Sequence, residues 1–301
     1  MEQRDPEKFA LAKREIKQCY ERNKAGDPEY QSLHKAIKTR LKVTVGDEYW
    51  RKYLDLFFKK KRHDELLFKQ PESSHLGDCP ICCVPLPVYL LKTHSIMICC
   101  GKMICDGCFF ASRAARECPF CRATPETAKD VWRKRVEAND PDAMLEEGRR
   151  HYDKGEYSSA FEYLTKAAAM GDAEAHCRLA NLYLLGLGVE KAEWKGIYHL
   201  EEAAIGGHPF ARFTLGFFDW ERGKKERAVK HLIIAATQGE DKAIKWLMKA
   251  FKEGIVMKDD LDSALRAYQA AVEATKSPQR EAVPESEGKC RSCACEGNCS
   301  H

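Results

Sequence analysis

No apolar run in the sequence approaches the ~20 residues that a membrane-spanning helix needs, so we expect no membrane partner. The first ten residues, MEQRDPEKFA, are charged from the second position and contain no apolar stretch, so we expect no secretory signal peptide. Cysteine is almost absent outside two stretches: of the fifteen cysteines, nine lie between positions 79 and 121 and four between 290 and 299. Such clustering favours metal binding over a disulfide framework, and with it a reducing compartment, the cytoplasm or the nucleus.

The chain also lacks a strong net charge. It carries 50 basic and 46 acidic residues, a formal charge of +4, which does not favour nucleic acid as the main partner. Residues 1–70 are the basic part, with 18 Lys and Arg against 12 Asp and Glu. Paired catalytic carboxylates, a Gly-rich phosphate loop and a Ser/His/Asp arrangement do not stand out, so the sequence does not favour an enzyme with covalent chemistry of its own.

Residues 1–70 are predicted to form a basic helical region. After a start signal at Thr44 and Asp47, apolar residues recur at helical spacing. They are Trp50, Tyr53, Leu54, Phe57 and Phe58. This aromatic face either packs on the preceding helices or docks a partner, and packing is the commoner fate of helical aromatics. The polar, turn-rich stretch 71–78 that follows predicts a domain boundary.

Four cysteine pairs follow one another between residues 79 and 121. They are Cys79 and Cys82, Cys99 and Cys100, Cys105 and Cys108, and Cys118 and Cys121. The C-x-x-C spacing turns two thiolates from one tight loop onto a single tetrahedral ion, and two such loops close one site. Four pairs therefore predict two zinc ions, which substitute for a hydrophobic core too small to fold alone.

This arrangement resembles the RING finger over residues 79–122, a family in which the ligand pairs interleave. The resemblance implies one zinc held by Cys79, Cys82, Cys105 and Cys108, and another held by Cys99, Cys100, Cys118 and Cys121. Lys102 stands where the commonest RING has a zinc-binding His, and an ammonium cannot ligate zinc. Cys99 is the obvious replacement, with His94 as the alternative because adjacent cysteines fit tightly around one ion. Cys83 is left over, either as a small buried residue or as a loop thiol.

The same resemblance implies a partner. In RING-type ubiquitin ligases an apolar residue in the first pair, a proline in the last pair and a basic residue after the final cysteine contact the ubiquitin-conjugating enzyme. This sequence has Ile81, Pro119 and Arg122 at the matching positions. Catalysis by such a ubiquitin-protein transferase is positioning, with no catalytic residue of its own, because the reactive thioester belongs to the partner enzyme. The alternative is a non-catalytic adaptor, in which these three residues only pack the zinc loops and offset thiolate charge.

After residue 125 the sequence is strongly helical and periodic. Ala143, Ala175, Ala211 and Ala243 recur at intervals of 32, 36 and 32 residues, and Gly171, Gly207 and Gly239 keep the same step. Pairs of alanines recur in register with them, at 167/168, 203/204, 235/236 and 270/271. Small residues at fixed intervals predict stacked helical hairpins whose backbones approach closely.

These residues resemble the Sel-one-like repeat, which is related to the tetratricopeptide repeat, over about residues 142–274. The second unit matches best, with Leu179, Tyr183, Gly186, Gly188, Val189, Ala203, Ala204 and Gly207. The first and third units lack the Gly-x-Gly turn, and Met248 stands in the fourth where Gly148 and Gly216 stand earlier. We therefore expect three good repeats and a degenerate cap. The resemblance implies an α-solenoid that binds a protein substrate or client, or one that only supports another part of the chain.

The tail 277–301 is polar and predicted to be disordered, although it ends CRSCACEGNCSH and has some capacity for metal. The predicted fold is mainly α: an N-terminal helical region, a small two-zinc RING-type module and an α-solenoid of helical hairpin repeats. The predicted function is a zinc-binding ubiquitin ligase that recruits a conjugating enzyme through the module and a substrate through the repeats. An interaction scaffold, or a nucleic-acid regulator that uses the basic helices, would be the competing functions.

Overall fold

The computed structural model describes residues 63–72, 75–87, 94–115 and 117–283. The predicted aromatic face at 50–58 and the cysteine-rich end of the chain lie outside these residues. From Leu67 onward the described chain forms one unit, in which the cysteine-bearing segment precedes the helical array. No helix in the described part of the chain is long and apolar enough to cross a membrane.

The cysteine-bearing segment contains little regular structure. Strand β1 (His94–Ile96) pairs antiparallel with β2 (Met103–Cys105), with Ser95 opposite Ile104. Helix α1 (Asp106–Ser112) follows β2 directly and leads into a 3₁₀ turn, Arg113–Ala115. Helix α2 (Pro125–Glu137) starts from a capping box between Thr124 and Thr127, three residues after the last cysteine. Cys99 and Cys100 therefore lie in the turn between β1 and β2, and Cys105 and Cys108 lie where β2 passes into α1.

The rest of the described chain is an array of antiparallel helical hairpins, so the prediction of a solenoid of helical hairpin repeats is confirmed. The helices are α3 (Pro141–Asp153), α4 (Tyr157–Ala169), α5 (Ala173–Leu185), α6 (Glu193–Ile205), α7 (Pro209–Glu221), α8 (Lys225–Thr237), α9 (Asp241–Lys252) and α10 (Lys258–Ala274). Consecutive helices pack on each other, and α5 also contacts α3, the first helix of the preceding hairpin. Neighbour contacts of this kind are typical of repeat proteins.

The recurring alanines mark the first turn of every first helix in a hairpin. In three hairpins the residue before the helix caps it with a side chain that accepts from the backbone N–H of that alanine: Asp140 for Ala143, Asp172 for Ala175 and His208 for Ala211. The alanine side chains are fully buried. These three alanines recur in the sequence because each lies in the first turn of a helix, where the backbone N–H is capped and a small side chain packs tightly.

The recurring glycines within the first helices mark where two helices touch. A Cβ atom on Gly148 would lie 2.7 Å from Cγ of Leu164, and one on Gly216 would lie 3.1 Å from Cγ of Leu232. Met248, at the matching position of the last hairpin, is instead 48% exposed. In this hairpin α10 is the longest helix, with 17 residues, and contacts α8 as well as α9. The last hairpin thus differs from the others, in line with a degenerate cap.

Residues 277–283, which follow the helical array, contain a short helix. Ser277 caps a short helix, α11 (Pro278–Glu281), which packs against α1 of the cysteine-bearing segment. A Cβ atom on Gly107 would come within 2.4 Å of the carbonyl oxygen of Gln279. Residues 277–283 therefore differ from the disordered tail that their polar composition predicts, because their partner α1 lies about 170 positions earlier in the chain.

Candidate metal centres

The structure brings the cysteines together in two groups of four. One group is Cys79, Cys82, Cys105 and Cys108, and the other is Cys99, Cys100, Cys118 and Cys121. Within each group the sulfur atoms all lie within 4.8 Å of one another. These are the two interleaved sets that the sequence predicts. Either group of four could therefore hold a metal ion.

Two of the loops have the same hydrogen-bonding pattern. In the first, Cys79 N donates to Val84 O over 3.0 Å and Cys83 N donates to Cys79 O over 2.8 Å. In the last, Cys118 N donates to Ala123 O over 3.0 Å and Arg122 N donates to Cys118 O over 2.9 Å. Cys83 and Arg122 adopt positive φ angles of 55° and 56°, which are uncommon for residues other than glycine. The repeated geometry turns both cysteines of each pair towards one point.

The spacing of the sulfur atoms fits a tetrahedral ion and does not fit a disulfide. Cys82 Sγ lies 3.8 Å from Cys105 Sγ, and Cys100 Sγ lies 3.7 Å from Cys118 Sγ. A disulfide requires about 2.05 Å, and all eight thiols are free. Four sulfurs held about 2.3 Å from a tetrahedral zinc ion lie about 3.8 Å from one another. The donor set, four thiols with no carboxylate, is also the one that zinc or another soft metal prefers.

In each cysteine group, one thiol has a pKa below the ordinary value for cysteine. Burial acts to raise the pKa of Cys79, but hydrogen bonds from the backbone of Cys105, Cys82 and Ile81 outweigh burial and lower it to about 7. Burial is likewise outweighed at Cys118 by the backbone of Cys121 and Phe120, and its pKa is also about 7. By contrast, burial and the neighbouring thiols raise the pKa of Cys99 and of Cys108. The chain alone thus favours partial ionisation of each group, and a cation is needed to hold four thiolates together.

The apolar support of the two groups differs. Leu86 and Ile104 are buried beside the first group. The second group packs on Ala128 of α2. From the same helix, Arg135 donates to Ile98 O over 3.2 Å and to Asp140 at the start of the array over 2.6 Å. Helix α2 therefore fixes the second group to the repeats.

An arginine from the far end of the chain lies on the first group. The guanidinium of Arg280 donates to Pro85 O over 2.7 Å and to Val84 O over 2.9 Å, and it lies 3.9 Å from Cys82 Sγ. Burial disfavours its charge, but the sulfurs of Cys105 and Cys82 outweigh burial and raise the pKa of Arg280. Four thiolates around a divalent ion carry a net charge of about −2, which a neighbouring guanidinium would offset. Nothing in the sequence around Arg280 signals this contact.

The remaining predicted residues are placed as follows. Cys99 belongs to the second group, while the side chain of His94 lies outside those that the structure describes. Cys83 is exposed, so it is a loop thiol and not a small buried residue. Lys102 lies over the ring of Phe120, with Nζ 4.5 Å from the ring centroid, where it shields one face of the second group's loop.

The three residues predicted to contact a partner lie on the surface. Ile81 is 43% exposed, and Pro119 and Arg122 are exposed as well. Phe110 on α1, which sequence reasoning missed, leaves 38% of its surface exposed. The signal that could have found it is an aromatic residue two positions beyond Cys108 of the first cysteine group, on a helix too short to bury both of its faces.

A third group of ligand-type residues lies away from the cysteines. His75, Glu174 and His208 place one ligand atom each within 4.8 Å of the others. Glu174 accepts from His208 over 2.8 Å and pairs with Arg178 over 2.6 Å. Burial disfavours the charge on His208, but Cys177 and Glu174 outweigh burial and raise its pKa to about 10. A metal would have to displace the proton of His208 and would face the guanidinium of Arg178, so this group is an ion-pair network.

The sequence of the array decides its family. The Sel1 repeat model matches residues 143–172, 173–208, 224–240 and 237–255. The matched residues are Sel1 repeats. In the third repeat the match covers only the second helix, and in the fourth it ends before α10. Two of the three repeats that were expected to be good are therefore matched in full. The matched residues do not include the cysteine groups.

Two solved structures resemble the Sel1 repeats of this chain. A Sel1 repeat protein from Oxalobacter formigenes is 26% identical with a TM-score of 0.42, over 52% of this chain and 66% of that one. A protective antigen of uropathogenic Escherichia coli strains that displays an SLR fold is 21% identical with a TM-score of 0.40, over 48% of this chain and 33% of that one. The chain thus spans just under two thirds of the first and one third of the second. No curated protein sequence matches it.

Proposed function

We propose that the chain is a RING-type ubiquitin ligase, in which a two-zinc module between Cys79 and Cys121 recruits a ubiquitin-conjugating enzyme. The observation that carries the proposal is the pair of interleaved four-cysteine groups with zinc-like sulfur spacing. Zinc, when bound, would hold the loops that carry Ile81, Pro119 and Arg122 in fixed positions. The Sel1 repeats suggest protein–protein interaction, and here they would bind the substrate or client.

The chemistry assigned to the chain is positioning. In the reaction, the amine of a substrate lysine attacks the thioester that joins ubiquitin to the conjugating enzyme, an isopeptide bond forms, and the enzyme's thiol leaves. Ile81 offers an exposed apolar contact on the first loop, and the guanidinium of Arg122 can donate hydrogen bonds across the partner and ubiquitin at once. Restraining a mobile conjugate in a reactive geometry is sufficient for acceleration, so no nucleophile of this chain is required.

The test is discharge of ubiquitin from a panel of charged conjugating enzymes to free lysine. Variants Ile81→Ala and Arg122→Gly should each abolish acceleration while zinc content stays unchanged. Glycine is chosen at position 122 because it adopts the positive φ of Arg122 without strain.

Matched controls are available on other elements. Leu185→Ala removes an exposed apolar side chain from the repeats, and Arg133→Ala removes an exposed arginine from α2. Both should leave discharge intact. If no enzyme in the panel responds although two zinc ions are bound, the chain is a non-catalytic adaptor whose cysteine module binds proteins without discharging ubiquitin.

A further inference from the structure

One segment of the chain lies in the repeats like a bound peptide. The helical residues 63–67 end at Leu67, which is fully buried and belongs to the apolar cluster formed by α5, α6 and α7. Phe68 follows at the edge of this cluster, and Gln70 donates from Nε2 to Oγ1 of Thr237 over 2.8 Å. Residues 67–70 therefore make apolar and polar contacts with elements that begin more than a hundred positions later.

The backbone of this segment is held by a buried arginine. Arg212, on α7, is 1% exposed, and its guanidinium donates to the carbonyls of Leu67 and Lys69, the latter over 3.2 Å. Within the described chain no carboxylate pairs with Arg212, and burial lowers its pKa to about 10. The last carbonyls of a helix have no partner inside the helix and form the negative end of its dipole. The arginine thus recognises a helix C-terminus, a feature that any protein helix can offer.

The neighbouring contacts form a pocket for an aromatic side chain. The ring of Phe68 lies 4.5 Å from that of His231, and the guanidinium of Arg227 lies over it at 4.9 Å. Lys230 adds a second cation at 5.9 Å. Arg227 is held in place by Asp219, from Nε to Oδ2 over 2.9 Å, independently of the segment. Cations over the face of an aromatic ring attract it electrostatically, so the two cations favour an aromatic side chain at this position.

We propose that this pocket is the site where the repeats bind a partner protein, and that residues 67–70 occupy it in cis. The partner would present a helix that ends in a leucine followed by an aromatic residue, so that its last carbonyls meet Arg212 and its aromatic ring meets Arg227. The partner has to displace the chain's own segment, whose attachment gives it a high local concentration. The apparent affinity for a partner is therefore reduced by the small fraction of chains whose pocket is open. This inference rests on one part of the proposed function, namely that the repeats bind a protein partner.

The experiment uses the full chain and a fluorescent peptide of residues 63–72, HDELLFKQPE, capped at both ends. Binding is followed by fluorescence anisotropy. The double variant Leu67→Ala/Phe68→Ala empties the pocket and should bind the peptide about tenfold more tightly, or more, than the native chain does. Adding Arg212→Met to the double variant should abolish binding, as should alanine at the Leu and Phe positions of the peptide.

Equal peptide affinity of the native chain and the double variant would overturn the proposal, as would no binding to a double variant that keeps its helical circular dichroism. If the double variant loses that signal, Phe68→Ala alone decides by the same comparison. Ile81→Ala in the double-variant background separates the two proposals. This chain should still bind the peptide while it loses ubiquitin discharge. In the double variant that keeps Ile81, peptide binding without discharge refutes only the ligase, and discharge without peptide binding refutes only the pocket.

Discussion

Between residues 79 and 121, the described buried side chains that are apolar and not cysteine are only Leu86, Pro87 and Ile104. The Sel1 repeats, by contrast, bury a leucine at every helix interface, with Leu164, Leu200 and Leu232 fully inaccessible. The cysteine segment is therefore held together mainly at two points, the two groups in which eight thiols converge. The repeats spread theirs along the chain, so that each hairpin depends on its neighbours.

The cysteine segment and the repeats are stabilised in different ways, so we expect them to respond to different perturbations. Loss of a metal ligand should act on the cysteine segment alone, whereas a change in the protonation of buried groups should act on the repeats. Two arginines are exceptions: Arg280 extends from the end of the repeats onto the first cysteine group, and Arg135 links the second group to the start of the repeats. The three predictions below use this contrast, from the largest expected effect to the smallest.

Replacing a buried thiol should unfold the cysteine segment and spare the repeats. Structural zinc contributes about 10–16 kcal/mol in small zinc-binding peptides, so Cys79→Ser should remove the first ion and the fold around it. Metal analysis should fall from two zinc ions per chain to one or none, while circular dichroism keeps the helical signal of the repeats.

Cys83→Ser is the matched control for that change. Cys83 lies four positions along in the same loop, but its thiol is exposed and belongs to neither group. It should leave the zinc content unchanged. An equal loss of helical signal in Cys79→Ser would show that the repeats are not independent of the module.

Lowering the pH should destabilise the repeats through His231. Burial, together with the charges of Arg227 and Arg212, lowers the pKa of this histidine to about 3. The unfolded chain takes up a proton near pH 6.5 and the folded chain does not, so stability is present above pH 6.5 and falls as the pH drops towards 3. Between pH 7 and pH 5 the cost from this residue is about 2 kcal/mol.

The measurement is urea unfolding of the native chain and of His231→Leu, a variant of similar side-chain volume, at pH 7 and pH 5. The native chain should lose about 2 kcal/mol more than the variant over this interval. Acid effects on the cysteine groups are common to both chains and cancel in the comparison. Equal losses would mean that His231 is protonated in the folded repeats.

Removing the Arg280 contact should weaken the first cysteine group only. Arg280→Gln removes the donor to the carbonyls of Val84 and Pro85, which are half-buried and exposed, so each lost hydrogen bond costs about 0.5–1.5 kcal/mol. One of two zinc ions should therefore be released faster to a chelator, and the other at the native rate. Arg133→Gln, at an exposed ion pair with Asp130, is the control and should leave both rates unchanged.

The architecture of the repeats could be predicted from sequence because its causes are local. Ala143, Ala175 and Ala211 recur because each follows a capping residue at a helix start, and Gly148 and Gly216 recur because a neighbouring leucine leaves no space for a Cβ atom. Both requirements act on the same position of every unit, so they appear as a period.

The two cysteine groups were partly within reach of the sequence, since each of the three C-x-x-C pairs turns towards one ion. The interleaving of the pairs and the use of Cys99 with Cys100 came from the resemblance to the RING finger. The contacts with Arg280 and Arg212 were not within reach of the sequence. Both arginines act on backbone carbonyls more than 140 residues away, and a carbonyl is present at every position of a chain. Such a contact leaves no trace in residue type or spacing.

What the sequence by itself determined is the set of local units: helical hairpins with their period, and cysteine pairs with their ligand spacing. Only the tertiary structure decided how the units are used. It places residues 67–70 in the repeats and α11 on α1, and it leaves Ile81 and Arg122 exposed. The physical reason is that local units form through interactions a few residues apart, whereas the choice of which surface is covered depends on which distant segments happen to meet.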